Sequence, residues 1–134
     1  MSKLDFPSIE WMQAYADLVA AHPTAADLGR SLQGRYRFVI TADGALPESH
    51  AYDLVVDPEP AFRAVRAEDE PADLVVTAGY GRWQGLLSGK SDFVMSYLMR
   101  RIKIDGDISE IRGRLRDARP LLDCLKEVPT RYVY

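Results

Sequence analysis

Several groups of residues in this 134-residue chain have the types and spacing to do chemistry. Gly79-Tyr80-Gly81-Arg82-Trp83-Gln84-Gly85 follows a β-branched stretch and opens a helical pattern, which is the setting of a dinucleotide-binding turn. The third glycine comes one residue late, Gln84 stands in its place, and no β-α-β series precedes it, so the run reads as a strand-to-helix turn. His22 and His50 have the side chain of a general base, but each lies by a loop signal and no nucleophile is placed beside it by local sequence. Cys124 sits among Leu121, Leu122 and Leu125, as a small buried apolar group does. Asp105 and Asp107 form a carboxylate pair that a turn at Gly106, and a helix cap completed by Glu110, already explain. Two histidines leave little material for a zinc site, and no cofactor is expected.

The last third is locally basic, with seven basic and four acidic residues from Arg100 to Arg119. Such a run suits an anionic membrane surface or an acidic enzyme partner. No aromatic residue interrupts it, as single-stranded nucleic acid would favour, and Glu110 with Arg114 forms an ordinary i,i+4 pair. The strongest concentration is apolar. Residues 80–99 carry Tyr80, Trp83, Leu86, Leu87, Phe93, Val94, Met95, Tyr97, Leu98 and Met99 on two short helical stretches. Helices apolar on more than one face are either sunk in a core or wall a cavity for an apolar ligand.

These residues need elements to position them. Residues 9–21 read as a helix capped by Ser8 and ended by His22-Pro23. Thr24 starts a second helix through Leu32, with Asp27 completing its cap. Tyr36, Phe38 and Ile40 alternate with Arg35, Arg37 and Val39, a half-buried strand. A second strand begins near Tyr52, a weaker one covers Phe62–Arg66, and residues 72–78 form the best strand candidate. Glu68-Asp69-Glu70 reads as a solvated acidic turn. Helices follow over Tyr80–Leu87 and Phe93–Met99, then a strand through Ile102 and Ile104, then a helix from Ile108 that Pro120 kinks or restarts. Helices and strands are segregated, so the fold class is α+β in a single domain over 1–134: helices in 1–33, antiparallel strands and a crossover in 34–78, and short helices, a strand and a terminal helix in 79–134.

Composition agrees with this. The chain is 47% hydrophobic and 28% charged, with net charge −3, which argues against disorder and against a broad nucleic-acid surface. The N-terminus lacks the apolar region of a secretory signal. The single cysteine fits a reducing, cytoplasmic compartment.

The run Trp83-Gln84-Gly85-Leu86-Leu87-Ser88-Gly89-Lys90-Ser91-Asp92-Phe93, then Leu98 and Ile102-Lys103-Ile104-Asp105-Gly106-Asp107, resembles the sterol carrier protein type 2-like domain. The resemblance spans roughly residues 30–125. It implies a five-stranded mixed sheet with helices over one face, an apolar tunnel between them for a fatty acyl chain, sterol or isoprenoid, and no catalysis. On that basis the lipid lies against Trp83, Leu86, Leu87, Phe93, Tyr97, Leu98, Ile102, Ile104, Ile111 and Leu115. Arg100 or Arg101 is placed to meet its head group. Many family members have glycine where this chain has Arg100-Arg101, and the ending Tyr132-Val133-Tyr134 is not a peroxisomal address. Arginine-rich, alanine-rich composition suggests a standalone bacterial form. Two other readings stay open: a scaffold docking enzymes of a lipid or quinone pathway through Arg112, Arg114, Arg116 and Arg119, and an enzyme on a small apolar substrate. The apolar N-terminal 33 residues suit a tunnel cover or a homodimer face.

Overall fold

A computed structural model describes residues 3–57, 61–106 and 119–132. Strand β1 (Leu4–Phe6) leads into helix α1 (Ile9–Ala21). Ser8 caps α1 as expected: the Trp11 amide donates to its Oγ at 3.1 Å. Trp11, Met12, Tyr15, Ala16 and Val19 recur at helical spacing and are all buried. His22, forced extended before Pro23, ends the helix. Helix α2 (Ala25–Ser31) follows, but Thr24 does not cap it with its side chain. The Thr24 amide instead donates to His22 Nδ1 at 3.2 Å, and Asp27 is drawn to Arg30 at 2.5 Å. These two local contacts outcompete the expected cap.

Five strands make the main sheet: β2 (Gly34–Thr41), β3 (His50–Asp57), β4 (Ala61–Arg66), β5 (Leu74–Gly79) and β6 (Lys103–Gly106), in the order β4-β3-β2-β5-β6. Only β2 and β5 run parallel, after the β3–β4 hairpin returns the chain to the sheet centre. Period-two alternation sorts the faces. Tyr36, Phe38 and Ile40 face the helices beside Tyr52, Leu54, Val56, Val76, Ala78 and Ile104. The opposite face carries Arg35, Arg37 and Asp53. The residues read as one strand through Ile102 and Ile104 divide: Ile102 is a buried lead-in, and pairing starts at Lys103.

Gly106 lets β6 close on β5. Its φ is +138°, and a Cβ there would lie 2.6 Å from the carbonyl oxygen of Asp73. The acidic turn is anchored rather than merely solvated. Arg37 Nη2 donates to the carbonyls of Glu68 and Glu70, and Arg35 pairs with the Glu70 carboxylate at 2.5 Å.

Helices α3 (Tyr80–Ser88), α4 (Phe93–Leu98) and α5 (Arg119–Leu125) and strand β7 (Thr130–Tyr132) complete the described chain. Strand β7 pairs in parallel with β1, Leu4 opposite Thr130 and Phe6 opposite Tyr132. The sequence reading has only helices in 1–33 and at the C-terminal end, so this small sheet corrects it. Three-residue strands carry too little alternation to register as a period. Trp11 Nε1 donates to Thr130 Oγ1 at 2.9 Å and locks the pair onto α1.

Candidate functional site

Several of the polar candidates have a structural role. The amide of Gly81 donates to Asp43 Oδ2 at 3.2 Å, and a Cβ on Gly79 would meet the same oxygen at 2.9 Å. The protein's own carboxylate therefore occupies the place a phosphate would take at the start of α3. His50 opens β3 instead of lying in a loop, and its Nδ1 is 3.0 Å from the Tyr52 hydroxyl. The Tyr15 hydroxyl donates to the Leu121 carbonyl at 2.8 Å. Burial, then the nearby Glu127 and Asp123 carboxylates, push the Cys124 thiol up to about 11, so it stays protonated and unreactive near neutrality. Asp105 lies 3.6 Å from Lys103, while Asp107 lies outside the described residues.

The apolar candidates gather on one side of the sheet. Trp83, Leu86, Leu87, Ile102 and Ile104 are buried, and Phe93 and Tyr97 are half-buried against them. Trp83 is fixed by its indole nitrogen, which donates to the Val39 carbonyl at 3.0 Å, and by Phe38 at a ring separation of 5.7 Å. Between α3, α4 and α5 lies a hollow of about 20 Å³, where Leu86, Phe93, Val94, Leu122 and Leu125 meet a polar side of Ser91, Asp92, Arg119, Asp123 and Lys126. The central strand β2 is unusual for its position. Tyr36 and Phe38, together with Leu74 across from Tyr36, keep partial accessibility on the helix-covered face. Among the described residues no buried side-chain nitrogen or oxygen lacks a partner.

Leu98 stands apart from the inner wall. It is 64% exposed, with Met95 and Met99 beside it at 52% and 54%, while Ser96 of the same helix is buried. Arg100 and Arg101 are exposed on the turn that follows, where Arg100 takes a left-handed φ of 58°. Ile111 and Leu115, and the docking arginines 112, 114 and 116, lie outside the described residues.

A five-stranded β4-β3-β2-β5-β6 sheet with helices on one face and an apolar layer between them is the setting in which comparison becomes informative. Residues 15–112 match the model of the SCP-2 sterol transfer family. The chain belongs to that family.

Solved structures carry the same fold as this SCP-2 domain. A conserved hypothetical protein from Thermus thermophilus, described as possibly a sterol carrier protein, has TM-score 0.78 and 22% identity over 98% of this chain and 94% of its own. A sterol carrier protein 2 has TM-score 0.74 and 22% identity over 89% and 95%. A UbiJ-SCP2 ubiquinone synthesis protein has TM-score 0.58 and 14% identity over 87% and 94%. A search of curated proteins finds no match. No described helix is long and apolar enough to cross a membrane.

Sequence reasoning placed Leu122 and Leu125 on an apolar face without assigning them to the SCP-2 site, and passed over Tyr36, Phe38 and Leu74 there. The signal for the strand residues was present in the β2 alternation. Which face the helices would cover imperfectly is a tertiary fact that spacing does not carry.

Proposed function

We propose that this SCP-2 domain carries a lipid with a long apolar chain, without chemistry, between the helix side of β2–β5–β6 and helices α3, α4 and α5. The observation behind this reading is the partial accessibility of Tyr36, Phe38 and Leu74 on the helix-covered face of the two inner strands β2 and β5. Central-strand side chains facing a helical layer ordinarily disappear from solvent, and those left partly uncovered offer apolar surface to a guest. The inner wall is then Trp83, Leu86, Leu87, Phe93, Tyr97, Ile102 and Ile104, with Leu98 and the arginines 100 and 101 at the rim. The sequence adds Ile111 and Leu115 to the proposed wall. The cytoplasm is its proposed location.

The affinity would come from burial. The fifteen apolar carbons of a sixteen-carbon acid gain about 12 kcal/mol at about 0.8 kcal/mol each, against association costs of at least ~4 kcal/mol. The difference corresponds to a Kd of roughly micromolar order.

The test is titration of purified, delipidated protein with a fluorescent long-chain fatty acid, followed by displacement with oleate. Saturable binding near one per chain is expected, weakened at least tenfold in Phe93→Asp with an unchanged far-UV circular dichroism spectrum. No binding by the folded wild type, or full binding by folded Phe93→Asp, overturns the reading.

A further inference from the structure

Helix α4 is inside out. Met95, Leu98 and Met99 stand at i, i+3 and i+4, which puts them on one face of the helix. All three are more than half exposed. The opposite face holds the half-buried Phe93 and Tyr97, together with the helix's polar residue, Ser96, which is 5% exposed. Ser96 is tied down by its hydroxyl, which donates to the Asp92 carbonyl at 2.7 Å. The helix is closed at both ends, where the Met95 amide donates to Asp92 Oδ2 at 2.9 Å and the Arg101 amide to the Ser96 carbonyl at 2.8 Å. Its facing is set by packing, with Phe93 and Tyr97 against the core and Ser96 buried between them and the turn. These three side chains are the large hydrophobic groups left in water among the described residues.

Cations flank the same helix along the chain. From Lys90 to Lys103 there are four basic residues and one acid, Asp92, whose carboxylate is engaged as the cap, in a chain whose net charge is −3. Lys90, Arg100, Arg101 and Lys103 are all exposed. Among the described residues neither Arg100 nor Arg101 forms an ion pair, and the lone pairing in the group is Lys103 with Asp105 at 3.6 Å. An acidic molecule in which exposed cations flank a helix with three protruding apolar side chains presents its complement to one kind of surface. Phosphate head groups meet the cations, and the acyl boundary beneath takes up Leu98 and the two methionines.

We propose that α4, with its basic flanks, is the surface by which the protein docks on an anionic lipid bilayer. The inference deepens the carrier reading and rests on it, since it names where the carrier meets its lipid source. The outward face of α4 lies across the helix from the Phe93 side that lines the interior hollow. The protein would sit peripherally, because six helical residues are far too few to span or to anchor irreversibly.

The experiment is sedimentation of the full chain with sucrose-loaded vesicles, either pure phosphatidylcholine or phosphatidylcholine with about one-third phosphatidylglycerol, at low and at moderate salt. Expected is binding to the anionic vesicles that falls with added salt, and little to the neutral ones. Met95→Gln/Met99→Gln should lose most of that binding while still taking up fluorescent fatty acid from solution. Arg100→Glu/Arg101→Glu should weaken it by about fivefold or more per cation removed. Absence of wild-type binding to anionic vesicles at low salt overturns the proposal, and so does unchanged binding by the methionine double variant. A methionine variant that turns a dimer into a monomer yet binds vesicles as before also overturns it, because the face then belongs to a second copy. Loss of fatty-acid uptake in the wild type with vesicle binding intact sinks the carrier reading instead, so the two failures are told apart.

Discussion

Asp53 shows what a single residue on the open face of the sheet can hold together. Its side chain has no solvent exposure, yet it is ionised. Burial raises the carboxyl pKa, and the hydrogen bonds from Arg37 Nε and Arg35 Nη1, both at 2.8 Å, together with their charges, outweigh that and hold it below the ordinary carboxylate range. Arg37 stands directly opposite Asp53 in the β2–β3 register, and the guanidinium groups remain about one-fifth exposed, so they keep partial hydration while the acid loses its own. Removing the acid in Asp53→Ala leaves two adjacent cations facing each other. We expect a loss of about 2–4 kcal/mol by urea denaturation at pH 7, toward the low end of buried-pair deletions because the arginines reach water. Because the folded-state pKa is depressed, the stabilisation is complete above the unfolded-state value near ~3.9 and fades as pH falls through the lower folded value. The gap between wild type and variant should therefore narrow below about pH 4; a gap that stays constant down to about pH 2.5 would contradict the assignment. The alternation of Arg35 and Arg37 was legible in the sequence. Their convergence on Asp53 was not, because register between strands is set by the hairpin and not by spacing within either strand.

At the scale of elements, period was readable wherever an element was long enough to repeat. Helix α1, strand β2 and strand β5 each lie within a few residues of their sequence-based limits. The element that mattered to the resemblance, Gly106 at the end of β6, is explained by the fold itself. Here the backbone of Asp73 passes against the glycine, and Asp73 is locked in place by reciprocal bonds with Arg35, its amide donating to the Arg35 carbonyl and its Oδ2 accepting from the Arg35 amide, each at 2.8 Å. The obstacle is main chain and cannot swing aside. Gly106→Ala combines a disfavoured φ with a 2.6 Å clash, and should destabilise by roughly 2–3 kcal/mol, as strained backbone positions do. Hydrogen exchange would show the loss first at β5–β6 amides such as Val76 and Ile104, with the β3–β4 hairpin little changed. Uniform loss of protection across all five strands would mean that β6 is not a separate edge but part of the folding core.

The whole molecule is joined where the sequence offered least. Strands β1 and β7 were invisible as periods, yet they bring Phe6 into the centre of a ring cluster: Trp11 at 4.9 Å, Tyr80 at 6.2 Å, Tyr132 at 6.4 Å and Trp83 at 6.5 Å. Through Trp83 and Phe38 the cluster reaches the wall of the proposed lipid site. An isolated three-residue strand pair has little stability of its own, so the buried rings, and the bond from Trp11 to Thr130, are what hold β1 to β7. Phe6→Ala should then cost about 3–5 kcal/mol in the urea unfolding free energy. A carrier adds a second consequence. A ligand that binds only the folded chain stabilises it by about 2.7 kcal/mol at a hundredfold excess over its Kd. If Trp83 is loosened by loss of Phe6, Phe6→Ala should bind fluorescent fatty acid more weakly than wild type and gain less stability from a fixed concentration of oleate. Equal gains in both proteins would show that the aromatic cluster supports the fold and leaves the lipid wall independent of it.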